Sequence, residues 1–145
     1  LKTSAMILVV TGLGGSLSAI LRGTPAVDFI AAFFSDYGLP AILLPFVIGI
    51  IGNMITGSTT VGVITAASLV SPMLGNLALS PEAAMLAGAS GSVIIKYVNS
   101  SYFWVCTSLS KLSVTDAVFS YGGATLMGGI VSFITVCVMW GLGLV

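Results

Sequence analysis

The chain has 145 residues, of which 57% are hydrophobic and only 6% are charged, with four basic side chains, four acidic side chains and no histidine. Soluble domains usually carry about 25% charged residues, nucleic-acid-binding domains need a basic patch, and disordered chains combine high charge with low hydrophobicity. The composition excludes these classes and predicts an all-α polytopic membrane protein. Its expected partner is the lipid bilayer, and a nucleic acid is not expected.

The gaps between charged residues locate the predicted helices, because charges rarely lie in the hydrocarbon of a bilayer. Residues 3–21 form a charge-free stretch of 19 residues, long enough for one transmembrane helix. In residues 25–35, aromatic and aliphatic side chains lie among Asp28 and nearby charges, and Pro25 suits the first position of a helix. This pattern predicts a short amphipathic helix lying in the interface.

The next charge-free run, residues 37–81, is too long for a single transmembrane helix. Its 45 residues would span about 68 Å as one helix, roughly twice the thickness of the hydrocarbon. The polar, glycine-containing stretch 53–60 divides the run into two short apolar arms. We therefore expect residues 39–72 to form a re-entrant helical hairpin with its tip near residues 56–60. A pair of ordinary transmembrane helices joined by a tight turn is the alternative.

Residues 82–110 have the pattern of a discontinuous transmembrane helix. Pro81 and Glu82 suit a helix start, because proline fits the first turn and an acid favours the N-terminal dipole. The apolar segment that follows is interrupted by Lys96 and a polar run and then resumes, which predicts a break near residues 97–101. Alternatively, the helix ends near Lys96, whose side chain then extends to the membrane interface.

The rest of the sequence adds one more helix and no catalytic or metal-binding motif. Residues 117–144 predict a further transmembrane helix whose glycine pairs allow close packing. It completes a single membrane domain over residues 1–145. Cys106 and Cys137 lie in apolar stretches without metal-ligand spacing, and no span has an acid in its interior or an activated nucleophile. An enzyme, a metal site and a cofactor are therefore not expected.

Candidate substrate-binding residues come from the hairpin tip and the helix break. Helix ends at such breaks leave N–H and C=O groups unpaired, and the N-terminal ends suit a carboxylate. Hydroxyl side chains and one lysine beside them favour a small hydroxylated anion as the substrate. The alternative is that the hydroxyls bond their own helices or join neighbouring ones, and that Tyr102 belongs to an interfacial aromatic belt. The predicted site residues are Asn53, Gly57, Ser58, Thr59, Thr60, Lys96, Asn99, Ser100 and Ser101.

Three separated stretches carry a resemblance to a known family. Residues 56–72 (TGSTTVGVITAASLVSP) resemble the pattern Q-G-S-A-T-V-A-x-x-T-A-A-G-L-x-A-P. Residues 99–104 (NSSYFW) are similar to N-D-S-G-F-W, and residues 9–15 (VVTGLGG) resemble V-T-G-A-G-G. In order and spacing these stretches resemble the C-terminal part of the gluconate permease family, whose members are proton symporters for gluconate and related sugar acids.

The resemblance implies a fold and a function for the whole chain. The fold implied is that of the ion-transporter superfamily, with two inverted repeats that each contain a re-entrant hairpin and a broken helix. The chain would then be the C-terminal repeat, completed by an N-terminal half or by a second subunit, and we expect a homo-oligomer. The function implied is ion-coupled uptake of gluconate or a related small hydroxy-carboxylate through the cell (cytoplasmic) membrane. A channel-like or non-transporting membrane subunit is the alternative.

Three departures from the family pattern concern charged or proton-carrying residues. The arginine that the family usually has four residues before the motif glycine is Asn53 here, its aspartate is Ser100, and the histidine before that aspartate is Tyr97. Carboxylates and histidines are natural proton carriers in membranes. The chain therefore leaves the coupling ion open between H⁺ and Na⁺, and we expect Lys96 to replace the arginine as the counter-charge for a carboxylate.

Overall fold

The computed structural model describes residues 36–145, together with the isolated positions Ser16, Ile20, Pro25, Ala32 and Phe33. The described residues form helices and turns without any strand, which confirms the all-α part of the prediction. Apart from those isolated positions, the predicted helices at residues 3–21 and 25–35 lie outside the described residues. The helices are α1 (Leu43–Thr56), α2 (Thr59–Val70), a short 3₁₀ turn (Ser71–Met73), α3 (Pro81–Ile94), α4 (Ser101–Leu109) and α5 (Val114–Gly141).

Helices α1 and α2 form a hairpin with a two-residue turn. Helix α1 ends at Gly57, which has a left-handed φ of 69° and donates its N–H to the Asn53 carbonyl at 2.7 Å. Ser58 then caps α2 by accepting a hydrogen bond from the Val61 N–H. The helices fold back on each other along glycines, since a Cβ atom added to Gly52 would lie 3.1 Å from the Gly62 Cα.

Helix α3 packs against this hairpin at backbone distance. Ser80 caps its start by accepting from the Ala83 N–H at 3.0 Å, and Pro81 occupies the first turn. A Cβ atom added to Gly91 would lie 2.0 Å from the Phe46 carbonyl oxygen of α1. Such close approach is possible only because Gly91 has no side chain, and packing on small residues is common between helices inside a membrane.

The chain is not helical between α3 and α4. Helix α3 ends at Ile94, Ile95 is extended, and α4 begins at Ser101, so the interruption covers residues 95–100, where the sequence suggested 97–101. A turn inside this segment is closed by the Ser100 N–H, which donates to the Tyr97 carbonyl at 2.9 Å. Residues 95–100 are called the break below.

Helix α5 is the long helix of the structure. Among the described residues it alone is long and apolar enough to cross a membrane, judged by length and composition. Its 28 residues correspond to about 42 Å. Ser113 caps it at Asp116, so it starts before the predicted residue 117, and the left-handed Gly143 follows its end, so it stops before residue 144. Only Ala117, Gly129 and Val136 are buried in it.

The apolar core lies where α3 meets the hairpin and α5. Phe46 of α1 and Phe133 of α5 stack with ring centroids 3.7 Å apart and cover one side of this core. Burying such side chains stabilises the arrangement by about 1.5–3 kcal/mol each in water, but inside a bilayer the close packing itself has to hold the helices. The buried cluster consists of Ile42, Val70, Met73, Leu77, Leu79, Ala83, Ala84, Ala87 and Val136.

The contact between α1 and α3 predicts that Gly91→Ala destabilises the protein. The new methyl group would collide with the Phe46 carbonyl, and backbone cannot yield as a flexible side chain does. Overpacking of this kind typically costs about 1–3 kcal/mol, so we expect a lower melting temperature for the purified protein in detergent. Gly128→Ala is the matched control, because a Cβ atom there meets nothing within 4 Å and alanine favours the helix. Equal melting temperatures for the wild type and Gly91→Ala would contradict the packing described.

Candidate functional site

The hairpin tip and the break face each other across a pocket of about 270 Å³. Its lining comes from two places in the sequence, the turn between α1 and α2 and the junction between the break and α4. The structure thus brings together most of the predicted site residues, which belong to separate motifs. The lining residues are Gly57, Ser58, Thr59, Thr60, Lys96, Ser100, Ser101 and Tyr102.

The first side of the pocket is the N-terminal end of α2. Ser58 is its capping residue, and Thr59 and Thr60 are its first two helical residues. The Ser58 side chain accepts from the Val61 N–H at 3.4 Å, and its carbonyl accepts from the Gly62 N–H at 3.0 Å. The N–H groups of the first helical residues have no acceptor within their own helix. This side of the pocket therefore presents backbone donors and hydroxyl groups.

The second side of the pocket is the N-terminal end of α4. Ser100 is the capping residue, but its side chain makes no capping hydrogen bond although only 2% of the residue is exposed. Ser101 and Tyr102 are the first helical residues. The start of a helix carries roughly half a positive charge. Because two such starts line one pocket, the pocket is electropositive before any side-chain charge is counted.

Lys96 adds a full positive charge to the same pocket. The residue is only 8% exposed, and its Nζ atom donates a hydrogen bond to the Thr59 hydroxyl of the hairpin tip. The side chain therefore turns inward, rather than out to the surface as the alternative interpretation required. None of the described residues that line the pocket is acidic. A buried ammonium group that has only a hydroxyl as partner is unfavourable, so an anion would complete this site.

The two predicted asparagines do not line the pocket. Asn53 lies behind the tip, with no exposed surface and with neither amide atom hydrogen-bonded. Asn99 is exposed, and its Nδ2 atom donates to the Met54 carbonyl at 2.7 Å. A Cβ atom added to Gly57 would lie 2.2 Å from the Asn99 carbonyl oxygen, so the backbones of tip and break touch.

Tyr102 lines the pocket and was missing from the predicted set. The sequence allowed it a place in an interfacial aromatic belt, together with other aromatic residues. The signal that points to the pocket is its position directly after Ser100 and Ser101, since the first residues of α4 all lie near the helix start. Trp104, two residues further along, instead donates its Nε1–H to the Val98 carbonyl of the break at 2.8 Å.

The arrangement is chemically suited to bind an anion that also carries hydroxyl groups. A carboxylate accepts hydrogen bonds from helix N-termini and pairs with an ammonium group. The hydroxyls of Ser58, Thr60 and Ser101 can donate to substrate oxygens or accept from substrate hydroxyls. No step of bond making or breaking follows from this set of side chains.

Comparison with known proteins identifies the family. The model of the GntP family permease matches residues 1–143. The chain is 38% identical over 117 residues to an uncharacterized permease of Haemophilus influenzae (77% of this chain, 23% of the relative). It is 29% identical over 121 residues to a high-affinity gluconate transporter of Escherichia coli (83% and 28%). It is 30% identical over 129 residues to the D-serine transporter DsdX of that organism (88% and 29%).

The chain spans less than a third of the length of these relatives. No solved structure gives a significant match. The match of the family model to almost every residue confirms the resemblance drawn from the three motifs, and the chain belongs to the GntP family of permeases.

Proposed function

We propose that the chain is the C-terminal part of a secondary active transporter for gluconate or a related small hydroxy-carboxylate, in the cell membrane. Family membership makes it part of an integral membrane permease. Its relatives include a gluconate transporter and a D-serine transporter. Both of these substrates carry a carboxylate and at least one hydroxyl, and D-serine carries an ammonium group in addition. Because the chain covers less than a third of those relatives, an N-terminal half or a second subunit would supply the rest of the site.

One observation carries the proposal: two helix starts and Lys96 line the same pocket. In the proposed complex the substrate carboxylate lies between the starts of α2 and α4, where it accepts backbone hydrogen bonds. The Lys96 ammonium leaves the Thr59 hydroxyl and pairs with the carboxylate, which is a stronger acceptor. The serine and threonine hydroxyls then contact the hydroxyl groups of the substrate.

The lengths of the helices support a re-entrant hairpin. Helices α1 and α2 have 14 and 12 residues, about 21 Å and 18 Å, whereas the hydrocarbon core is about 30 Å thick. The hairpin tip would then lie within the membrane, where irregular backbone is tolerated only if it lines a cavity or is buried in protein. The break between α3 and α4 would lie at the same depth. An inverted repeat with a second hairpin would complete the carrier.

The proposal that uptake is coupled to an ion rests on the family and not on the residues of the pocket. A coupling proton needs a titratable group in the membrane, and the positions where the family has a histidine and an aspartate are Tyr97 and Ser100. If H⁺ is the coupling ion and a carboxylate or a histidine carries it, that group would lie in the part of the transporter that this chain does not supply. A channel-like subunit remains the second candidate function, and saturable uptake distinguishes a carrier from it.

Replacement of Lys96 by Gln should weaken substrate binding. A hydrogen bond to a charged group contributes about 1.5–3 kcal/mol, which corresponds to a loss of roughly tenfold or more in affinity. We expect the KM of labelled gluconate uptake to rise by at least about tenfold in the assembled transporter, in cells without another gluconate carrier. Lys96→Arg keeps the charge and serves as the control, with a smaller rise. An unchanged KM in Lys96→Gln would refute this role for Lys96.

The charge of the pocket also predicts discrimination between anionic and zwitterionic acids. An ammonium group next to the carboxylate would face Lys96 and two positive helix ends, and no acid lines the described side of the pocket. We expect 2-amino-2-deoxy-D-gluconate to compete with labelled gluconate at least about tenfold less well than unlabelled gluconate does. The two acids differ at one substituent, so size is controlled. Equal competition would mean that an acid elsewhere in the site pairs with the ammonium group.

A further inference from the structure

We infer that Asn99 is a positioning residue of the substrate site: it holds the hairpin tip against the break and makes no contact with the substrate. The inference rests on the proposed function, because it concerns how the proposed site keeps its shape. The predicted role of Asn99 was substrate binding, but its side chain lies outside the pocket and bonds the Met54 carbonyl at 2.7 Å.

The carbonyl that Asn99 bonds is one that needs a partner. Met54 is one of the last four residues of α1. The carbonyls of these residues accept no hydrogen bond from an N–H group of the same helix. The Asn53 carbonyl in the same turn is already bonded by the Gly57 N–H. Asn99 thus closes the C-terminal end of α1 from a position 45 residues further along the chain. The hydrogen bond joins the two discontinuous segments of the structure.

The backbone of Asn99 reinforces this connection. Its carbonyl oxygen lies so close to Gly57 that a Cβ atom there would approach to 2.2 Å. Side chain and backbone of one residue therefore fix the tip at two neighbouring points. The start of α4 follows two residues later, and the start of α2 follows two residues after Gly57. A shift of Asn99 relative to the tip would change the angle between the two helix starts that line the pocket.

The second side-chain hydrogen bond between the segments cannot serve the same purpose while substrate is bound. It joins Lys96 to Thr59 and lies in the pocket. In the proposed complex Lys96 releases Thr59 in order to pair with the carboxylate. Among the described residues, the hydrogen bond of Asn99 is then the side-chain link between tip and break that persists. Asn99 would preorganise the site during the step in which Lys96 changes partner.

Kinetics of Asn99→Asp test this role, since aspartate has the same shape but cannot donate to the Met54 carbonyl when ionised. We expect a rise of about tenfold in KM for gluconate, with Vmax and the amount of protein in the membrane within about twofold of wild type. Asn99→Gln keeps the amide and should lie closer to wild type than Asn99→Asp. Asn76→Asp makes the same chemical change in the loop before α3 and should leave KM unchanged.

The choice of substrate separates positioning from direct contact. A positioning residue should raise by the same factor the KM for gluconate and the inhibition constant of glycerate, a shorter hydroxy acid, against gluconate uptake. An unchanged KM in Asn99→Asp overturns the inference, as does a fall in protein amount and Vmax at constant KM. A factor that differs by more than about threefold between the two acids would instead indicate direct contact. Absence of saturable gluconate uptake by the wild type would count against the proposed function and not against the role of Asn99.

A labelling experiment tests the same inference without transport. Ser100→Cys, with Cys106 and Cys137 replaced by alanine, places one thiol in the pocket at a residue that is 2% exposed. If Asn99 holds the tip in place, adding Asn99→Asp should speed the reaction of this thiol with a water-soluble maleimide by at least about threefold. Adding Asn76→Asp should not change the rate. Equal rates in all three proteins would overturn the inference.

Discussion

The contact between Gly57 and the backbone of Asn99 is the constraint on which the site depends. Gly57 ends α1 with a left-handed φ of 69°, and any side chain there would collide with the Asn99 carbonyl. Because the glycine lets the hairpin tip lie directly on the break, the starts of α2 and α4 reach the same pocket. The electropositive character of that pocket, and with it the proposed substrate class, follows from this single approach of two backbones.

Close packing of α1 against α3 supports the contact between Gly57 and Asn99. Glycines at the α1–α3 interface, Gly49 and Gly91 in particular, bring the backbones to a distance that excludes any larger residue. The tip and the break are therefore carried by helices that share a rigid interface. In this setting the Lys96 ammonium donates to the Thr59 hydroxyl, and the carboxylate of the proposed substrate would be the stronger acceptor.

The two polar segments could be predicted from the residues next to them in the sequence. The contact between the two segments could not. Gly57 and Ser58 signal a helix end followed by a helix start, and Lys96 with the polar run after it signals a break, because both patterns depend on neighbouring residues. That Asn99 bonds Met54, 45 residues earlier, depends on how α1 and α3 pack and has no local signal. Tyr102 did have a local signal, its position directly after Ser100 and Ser101 at the start of α4.

The limits of α5 show the opposite case, in which local signals set both ends of a helix. The Ser113 cap and the left-handed Gly143 set its ends at Val114 and Gly141, while the sequence suggested residues 117–144 with capping residues at 113–116. Capping residues locate helix ends better than hydropathy does, because they satisfy the end groups directly. The side-chain amide of Asn53 is buried without a hydrogen bond, and no capping or other local pattern among the described residues explains this.

Whether the contact between tip and break builds the site can be tested by comparing Gly57→Ala with Gly38→Ala in the assembled transporter. Both glycines have a positive φ, 69° and 60°, but a Cβ atom at Gly38 meets nothing within 4 Å, whereas one at Gly57 meets the Asn99 carbonyl. We expect Gly57→Ala to abolish gluconate uptake at wild-type amounts of protein in the membrane, and Gly38→Ala to retain it. Normal uptake by Gly57→Ala, or equal loss in both variants, would contradict the claim that contact between tip and break builds the site.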